Sequence, residues 1–239
     1  MKRALLLVLL VLAADQALKV WIKLTFYYDA SIPLFGEGVN WAYLHFIENR
    51  GMAFGLEFGG RMGKLMLTLF RIVAVIGIGY MLVQQARRGA SQGLVLSLAL
   101  VLAGALGNII DSTFYGMLFS ESTHYQKAVL FPPEGGYAAL FHGAVVDMFY
   151  FPLVDGRLPQ WVPYWGGDHI LFFRPVFNIA DAAITCGIVW LIFAQRHAQP
   201  HTSEGSDAMN TAPAVVSENA MPEQADGGPS PEQRTDPQL

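Results

Sequence analysis

The 239-residue chain is 53% hydrophobic and only 14% charged, with a formal net charge of −4. Soluble domains carry about 25% charged residues, so this composition excludes an ordinary soluble protein and points to a membrane. A single cysteine, Cys186, excludes a disulfide framework and a cysteine-rich metal site.

The apolar residues gather in four blocks, each near the roughly 20 residues that cross a bilayer core. The first runs from about Ala4 to Leu24. Its basic start, apolar run and small residues at Ala13 and Ala14 also resemble a cleavable signal peptide. The apolar character resumes past Asp15 through Val20, Trp21 and Ile22, which favours a retained helix. Asp15 and Lys19 stand one helical turn apart, so they share a face and can pair. The segment from about Thr25 to Gly63 follows. In it, Asn49-Arg50-Gly51 separates Leu44–Ile47 from Ala53–Leu56 and reads as a strand connection.

The second block, from about Lys64 to Ala86, contains Arg71, which is expected to snorkel outward rather than meet a carboxylate. The third, from about Gly93 to Ile110, ends in Gly104-Ala105-Leu106-Gly107-Asn108-Ile109-Ile110-Asp111. A long segment from about Ser112 to Pro175 carries Asp147 among apolar residues. It is rich in proline and aromatics (Phe131-Pro132-Pro133, Trp161, Trp165) and reads as an interfacial stretch or as a lid. The fourth block, from about Val176 to Phe193, begins with Asn178 and Asp181, spaced like Asn108 and Asp111. From 198 to 239 the chain is rich in Pro, Gly, Ser, Glu and Gln. With seven acidic residues and one basic one, Arg234, this tail is expected to be disordered and cytoplasmic.

Lys2, Arg3, Arg87, Arg88 and Arg196 fall on one side of a four-pass chain, which predicts cytoplasmic termini. The expected fold is an α-helical integral membrane protein of four transmembrane helices around a small internal site, spanning residues 1–197. Ionisable groups inside a bilayer are costly and usually mark function. Small residues beside them (Gly104, Ala105, Gly107, Ala180, Ala182, Ala183) let helices approach closely. A proton or cation path is one reading, but it favours carboxylates near the midplane, whereas Asp111, Asp147 and Asp181 map to one face. A non-enzymatic assembly subunit is another. No HExxH pattern links the six histidines, and His142 is expected at the surface. No nucleophile-elbow motif is present, although Lys19 leaves a Ser–Lys dyad open on composition alone.

Five segments taken together resemble the ordered signature blocks of the lipoprotein signal peptidase (signal peptidase II) family. They are Asp15-Gln16-x-x-Lys19, Asn49-Arg50-Gly51-x-Ala53-Phe54, Gly104-Ala105-Leu106-Gly107-Asn108-x-x-Asp111, Val145-Val146-Asp147 and Phe177-Asn178-x-Ala180-Asp181. The likeness covers about Leu5 to Phe193. It implies a four-helix aspartyl endopeptidase of the bacterial inner membrane with a small extracytoplasmic β-cradle. The implied substrate is a diacylglyceryl-modified prolipoprotein, cut just before the lipid-bearing cysteine. Neither metal nor cofactor is implied, globomycin would inhibit, and a monomer with no nucleic-acid partner is expected. The family's catalytic pair falls on Asp147 and Asp181, and Asn49 and Gly51 would lie near substrate. Members often carry Arg directly after the third-helix Asp. Here that position is Ser112, which leaves Arg50 and Arg174 as candidate replacements.

Elementary chemistry fits the pair. Two neighbouring carboxylates cannot both ionise easily, so one proton is shared. One group can then take a proton from water while the other donates to the scissile carbonyl; sequence alone assigns neither role. Asn178, Asn108 and Asp111 are expected to orient a carboxylate or contact substrate, with Asp15, Gln16 and Lys19 acting mainly as structural glue.

Overall fold

The computed structural model describes residues 1–36, 38, 41–51, 60–152, 154–157, 160–161, 167, 169–172 and 176–196. Ala53, Phe54, Trp165, Arg174 and the tail at 198–239 lie outside the described residues.

Helix α1 spans Lys2–Thr25, and α2 spans Gly60–Arg87. Helix α3, Gln92–Ile110, opens on Ser91, whose hydroxyl accepts the Leu94 amide as an N-cap. It does not stop at Asp111. A π-helical turn at Asp111–Tyr115 carries it into α4, a last turn at Gly116–Leu118. α1, α2 and the continuous stretch Gln92–Leu118 are each long and apolar enough to cross a membrane. Helix α5 runs Ile179–Arg196. It starts three residues later than the apolar pattern suggests, because Val176–Phe177 pair as a strand instead. Leucine-, valine- and phenylalanine-rich surface faces outward, with Phe70 71% and Ile76 67% exposed. Such a belt belongs in lipid rather than water.

The strands are β1 (Ser31–Pro33), β2 (Tyr43–Asn49), β3 (Val145–Tyr150), β4 (Val154–Arg157), β5 (His169–Phe172) and β6 (Val176–Phe177). β1-β2-β3-β6 form an antiparallel sheet, and β4 pairs with β5 separately. In the sheet Ile47 faces Asp147 and Asn49 faces Val145. Past Asn49 the chain turns at Gly51, whose φ of +97° suits glycine. The Asn49 side chain accepts the Gly51 amide at 2.9 Å, an Asx turn. The expected first strand and turn are therefore present.

The segment after α4 is neither a simple interfacial stretch nor a lid over its whole length. Phe119 and Ala128 are buried with Ile22, Phe46, Val146 and Met148 in one apolar cluster beneath the sheet. Residues 138–143 then strap the π-helical turn. Gly143 N donates to Ser112 O, Phe141 N to Thr113 O and Ala138 N to Gly116 O. These bonds satisfy carbonyls that a helix end leaves open.

α3 and α5 meet through glycine. A Cβ at Gly104 would stand 2.1 Å from the Ala180 carbonyl oxygen, and one at Gly107 would stand 2.6 Å from the Asp15 carboxylate. At Gly104 only hydrogen fits against the Ala180 backbone, and at Gly107 the missing side chain leaves room for the buried Asp15 carboxylate.

Candidate active site

The site lies where the start of α5, the end of α3, the middle of α1 and strand β3 converge. Asn178 precedes α5 as its N-cap. Its Oδ1 accepts the Asp181 amide at 2.9 Å, while an Asp181 oxygen faces the Asn178 amide at 3.4 Å. This reciprocal pairing is a capping box, and it is the physical reason for the three-residue spacing read in the sequence. It turns both side chains toward β3.

There the Asn178 Nδ2 donates to Asp147 Oδ1 at 2.7 Å. Asn108, from α3, donates its own Nδ2 to Asp181 Oδ1 at 2.7 Å. The two amides touch each other, Asn178 Nδ2 to Asn108 Oδ1 at 3.2 Å. Each carboxylate is thus held by one amide of a linked asparagine pair. Asp147 is 4% exposed and Asn178 fully buried. Burial first, and the neighbouring Asp181 carboxylate second, push the Asp147 carboxyl up to about 8.

A second polar layer fixes the first. Lys19 Nζ donates to Asn108 Oδ1 at 2.9 Å. An ammonium can only donate, so it must face the amide oxygen. The Asn108 NH2 is thereby turned to Asp181. Lys19 also pairs with Asp15 and Asp111, each at 2.8 Å, and all three are buried. Gln16 bridges Asp15 and Asp111 and accepts from the Tyr115 hydroxyl. Asp15 Oδ1 caps α5 by accepting the Ala180 amide, and Asp111 Oδ2 accepts the Val146 amide next to Asp147. The four elements are locked together at one level, with ion pairs and hydrogen bonds answering each buried charge.

The structure brings Asp15, Lys19, Asn108, Asp111, Asp147, Asn178 and Asp181 together. Asn49 and Gly51 form the turn at the end of β2. Arg71 departs from expectation. It does not snorkel to the surface; its Nη1 donates to Ser112 Oγ at 3.3 Å, and it lies within electrostatic reach of Asp181, Asp147 and Asp111. Arg50, a proposed substitute for the missing arginine at 112, is engaged elsewhere, with Glu121 at 2.9 Å. The signal for Arg71 was visible as a cation set among apolar residues inside α2, but a helix period alone does not say which way it points. His142 turns to the Leu140 carbonyl. Among the described residues no cluster of three or more His, Cys, Asp or Glu is arranged to hold a metal.

The family model for signal peptidase (SPase) II matches residues 7–196. The lipoprotein signal peptidase of Porphyromonas gingivalis is 45% identical over 218 residues, which is 90% of this chain and 91% of that protein. That of Amoebophilus asiaticus is 36% identical over 192 residues, covering 79% and 75%. Two solved bacterial membrane enzymes, determined by the in meso method at 2.3 and 1.9 Å, share the fold with a TM-score of 0.54 each. Their identities are 21% and 22%, and the matches cover 87% and 83% of this chain and 95% and 96% of theirs. With matching relatives along nearly its whole length and a family model spanning α1 to α5, the chain belongs to the signal peptidase II family.

Proposed function

We propose that Asp147 and Asp181 jointly activate water to cleave the peptide bond before the lipid-bearing cysteine of a diacylglyceryl prolipoprotein. Membership in the family makes the chain an aspartic peptidase of a bacterial membrane that removes signal peptides from prolipoproteins. The observation that carries the mechanism is the linked asparagine pair, which presents one carboxylate from β3 and one from α5 side by side.

Roles follow from environment. Asp147, buried and pushed up to about 8, holds the shared proton at neutral pH and donates it to the scissile carbonyl oxygen. Asp181 sits in the first turn of α5 with Arg71 nearby and serves as the base. It takes a proton from water as the water oxygen attacks the carbonyl carbon. Collapse of the tetrahedral intermediate breaks the C–N bond. The proton held by Asp181 passes to the departing amine, and Asp147 recovers its own. Asn108 and Asn178 keep the pair in register, and Lys19, with Asp15, Asp111 and Gln16, keeps Asn108 in its productive orientation.

In this reading α5 is a fourth span, both termini are cytoplasmic, and the pair opens to the extracytoplasmic face. The membrane lipids surround a monomer, and the tail at 198–239 takes no part in cleavage. The test is cleavage of a diacylglyceryl-modified prolipoprotein by purified wild type, Asp147→Asn and Asp181→Asn, with globomycin and a chelator added separately. Wild-type cleavage before the cysteine, two folded inactive variants, and inhibition by globomycin but not by the chelator are expected. A near-normal rate in either variant would remove that residue from the catalytic pair.

A further inference from the structure

α1 carries two buried lysines one turn apart, Lys19 and Lys23, and therefore on one face. Lys19 orients Asn108, which holds Asp181. Lys23 builds a second buried network. Its ammonium pairs with Glu48 of β2 and donates to Ser122 Oγ at 3.0 Å. Ser122 in turn donates to Glu48 Oε1 at 2.6 Å. The same ammonium lies 5.4 Å from the centre of the Phe119 ring and 5.0 Å from that of Tyr137, within range of a cation–π contact. The Lys23 side chain is fully buried and that of Glu48 is 5% exposed. Three segments far apart in the chain thus meet on one ammonium: the end of α1, strand β2 and the stretch after α4.

This network lies behind the strand that carries Asp147. Glu48 faces Val146 across the sheet, and Ile47 faces Asp147. Successive strand residues point to opposite faces, so the sheet is gripped on one face while Asp147 projects from the other. Tyr137, whose ring lies against Lys23, accepts the Ala144 amide on its hydroxyl at 2.6 Å. Ala144 immediately precedes β3. β3 is therefore tied to Lys23 twice, through Glu48 and through Tyr137. Apolar side chains of similar volume often stabilise a buried site as well as an ion pair does. What the ion pair adds is direction, since an ammonium can only donate and must meet an acceptor at a set place. We propose that Lys23, Glu48 and Ser122, with Tyr137, are positioning residues for Asp147, which fix where β3 stands against α1. One face of α1 then governs both carboxylates: Asp181 through Lys19 and Asn108, and Asp147 through Lys23 and β3. The inference rests on Asp147 being one of the catalytic pair.

The test uses purified full-length enzyme and a diacylglyceryl lipopeptide. Lys23→Met, Glu48→Leu and Ser122→Ala, made together, replace the network by apolar groups of similar volume. The melting temperature in detergent should equal or exceed that of wild type, as such replacements allow. Over the same change kcat should fall about tenfold, with KM within about twofold of wild type, because the fold persists and the aspartate is displaced. Wild-type kcat in the folded triple variant overturns the inference. Tyr137→Phe is the milder probe, since it keeps the ring against Lys23 and removes only the hydroxyl that accepts the Ala144 amide. It should lower kcat about threefold to fivefold at constant KM. If the triple variant does not fold, Tyr137→Phe decides, and wild-type kcat in it overturns the inference. Glu121→Gln breaks an exposed pair with Arg50 that joins the same two segments at the surface, and it should keep wild-type kcat. An equal loss there would mean that any disturbance of the segment slows the reaction, and the inference fails. Asp147→Asn, assayed alongside, separates the two readings. If it is inactive while the triple variant keeps wild-type kcat, only the positioning role fails. If it is active, the catalytic assignment fails and the positioning role with it.

Discussion

Arg71 on α2 donates to Ser112 on the π-helical turn at 3.3 Å, so a cation from one helix occupies the position beside a small residue on another. The family resemblance implies an arginine immediately after the third-helix aspartate, where this chain has Ser112. Arg71 of α2 brings a cation to that place. The expected consequence is exchangeability. Arg71→Leu should lower kcat at least about tenfold by removing a cation near the carboxylates, and adding Ser112→Arg should recover much of that loss. A double variant no better than Arg71→Leu would show that the two positions are not equivalent.

The alkaline side of the rate profile tests the shared proton. Asp147 lies above the ordinary carboxylate value, so its protonated form predominates below about 8 and is lost above it. Activity should therefore fall as pH rises through about 8, once both carboxylates are anionic and no acid remains for the carbonyl. Stability should move in the same direction. A folded-state pKa above the unfolded one means that the native state holds the extra proton between about 4 and 8, so rising pH costs stability across that window. A rate constant across pH 7 to 9, with chemistry limiting, would contradict the assignment.

Substituting Asp147 or Asp181 by asparagine keeps the volume and, if the two are the proposed pair, removes the proton chemistry. Asp147→Asn and Asp181→Asn should each lose about a thousandfold or more in kcat. Because Asp181 also completes the capping box of α5, Asp181→Asn should be the less stable of the two. Thermal unfolding in detergent separates that loss from the loss of rate.

Lys19→Met tests the second layer. It leaves Asp15 and Asp111 buried without their cation, a loss of about 3–5 kcal/mol. A melting temperature close to wild type would argue that the two carboxyls find other partners.

Glycine at the α3–α5 contact gives a steric prediction. Gly104→Ala sets a methyl 2.1 Å from a backbone oxygen, whereas the nearest atom to a Cβ at Gly79 is 3.9 Å away. The first change should cost about 1–3 kcal/mol or prevent folding, and Gly79→Ala should be close to neutral. Side-by-side unfolding of the two proteins in one detergent decides it.

Much of this protein was legible in the linear chain because its signals are local. Long apolar runs require helices in lipid, whatever surrounds them. The spacing of Asn178 and Asp181 is a helix start written in four residues, and Asp15 with Lys19 is one turn of one face. Tertiary structure decided what depends on direction and on distant partners. Val176–Phe177 became strand because β3 offered open hydrogen-bonding groups beside them, which apolarity alone does not reveal. The segment after Leu118 entered the core because Phe119 and Ala128 found Phe46 and Met148 to pack against. Arg71 turned inward because the carboxylates of three other elements converge near it, and Lys19 set the orientation of Asn108 because an ammonium can face only an oxygen. A sequence states which groups must avoid lipid; only the assembled helices and sheet determine which partner each group meets there.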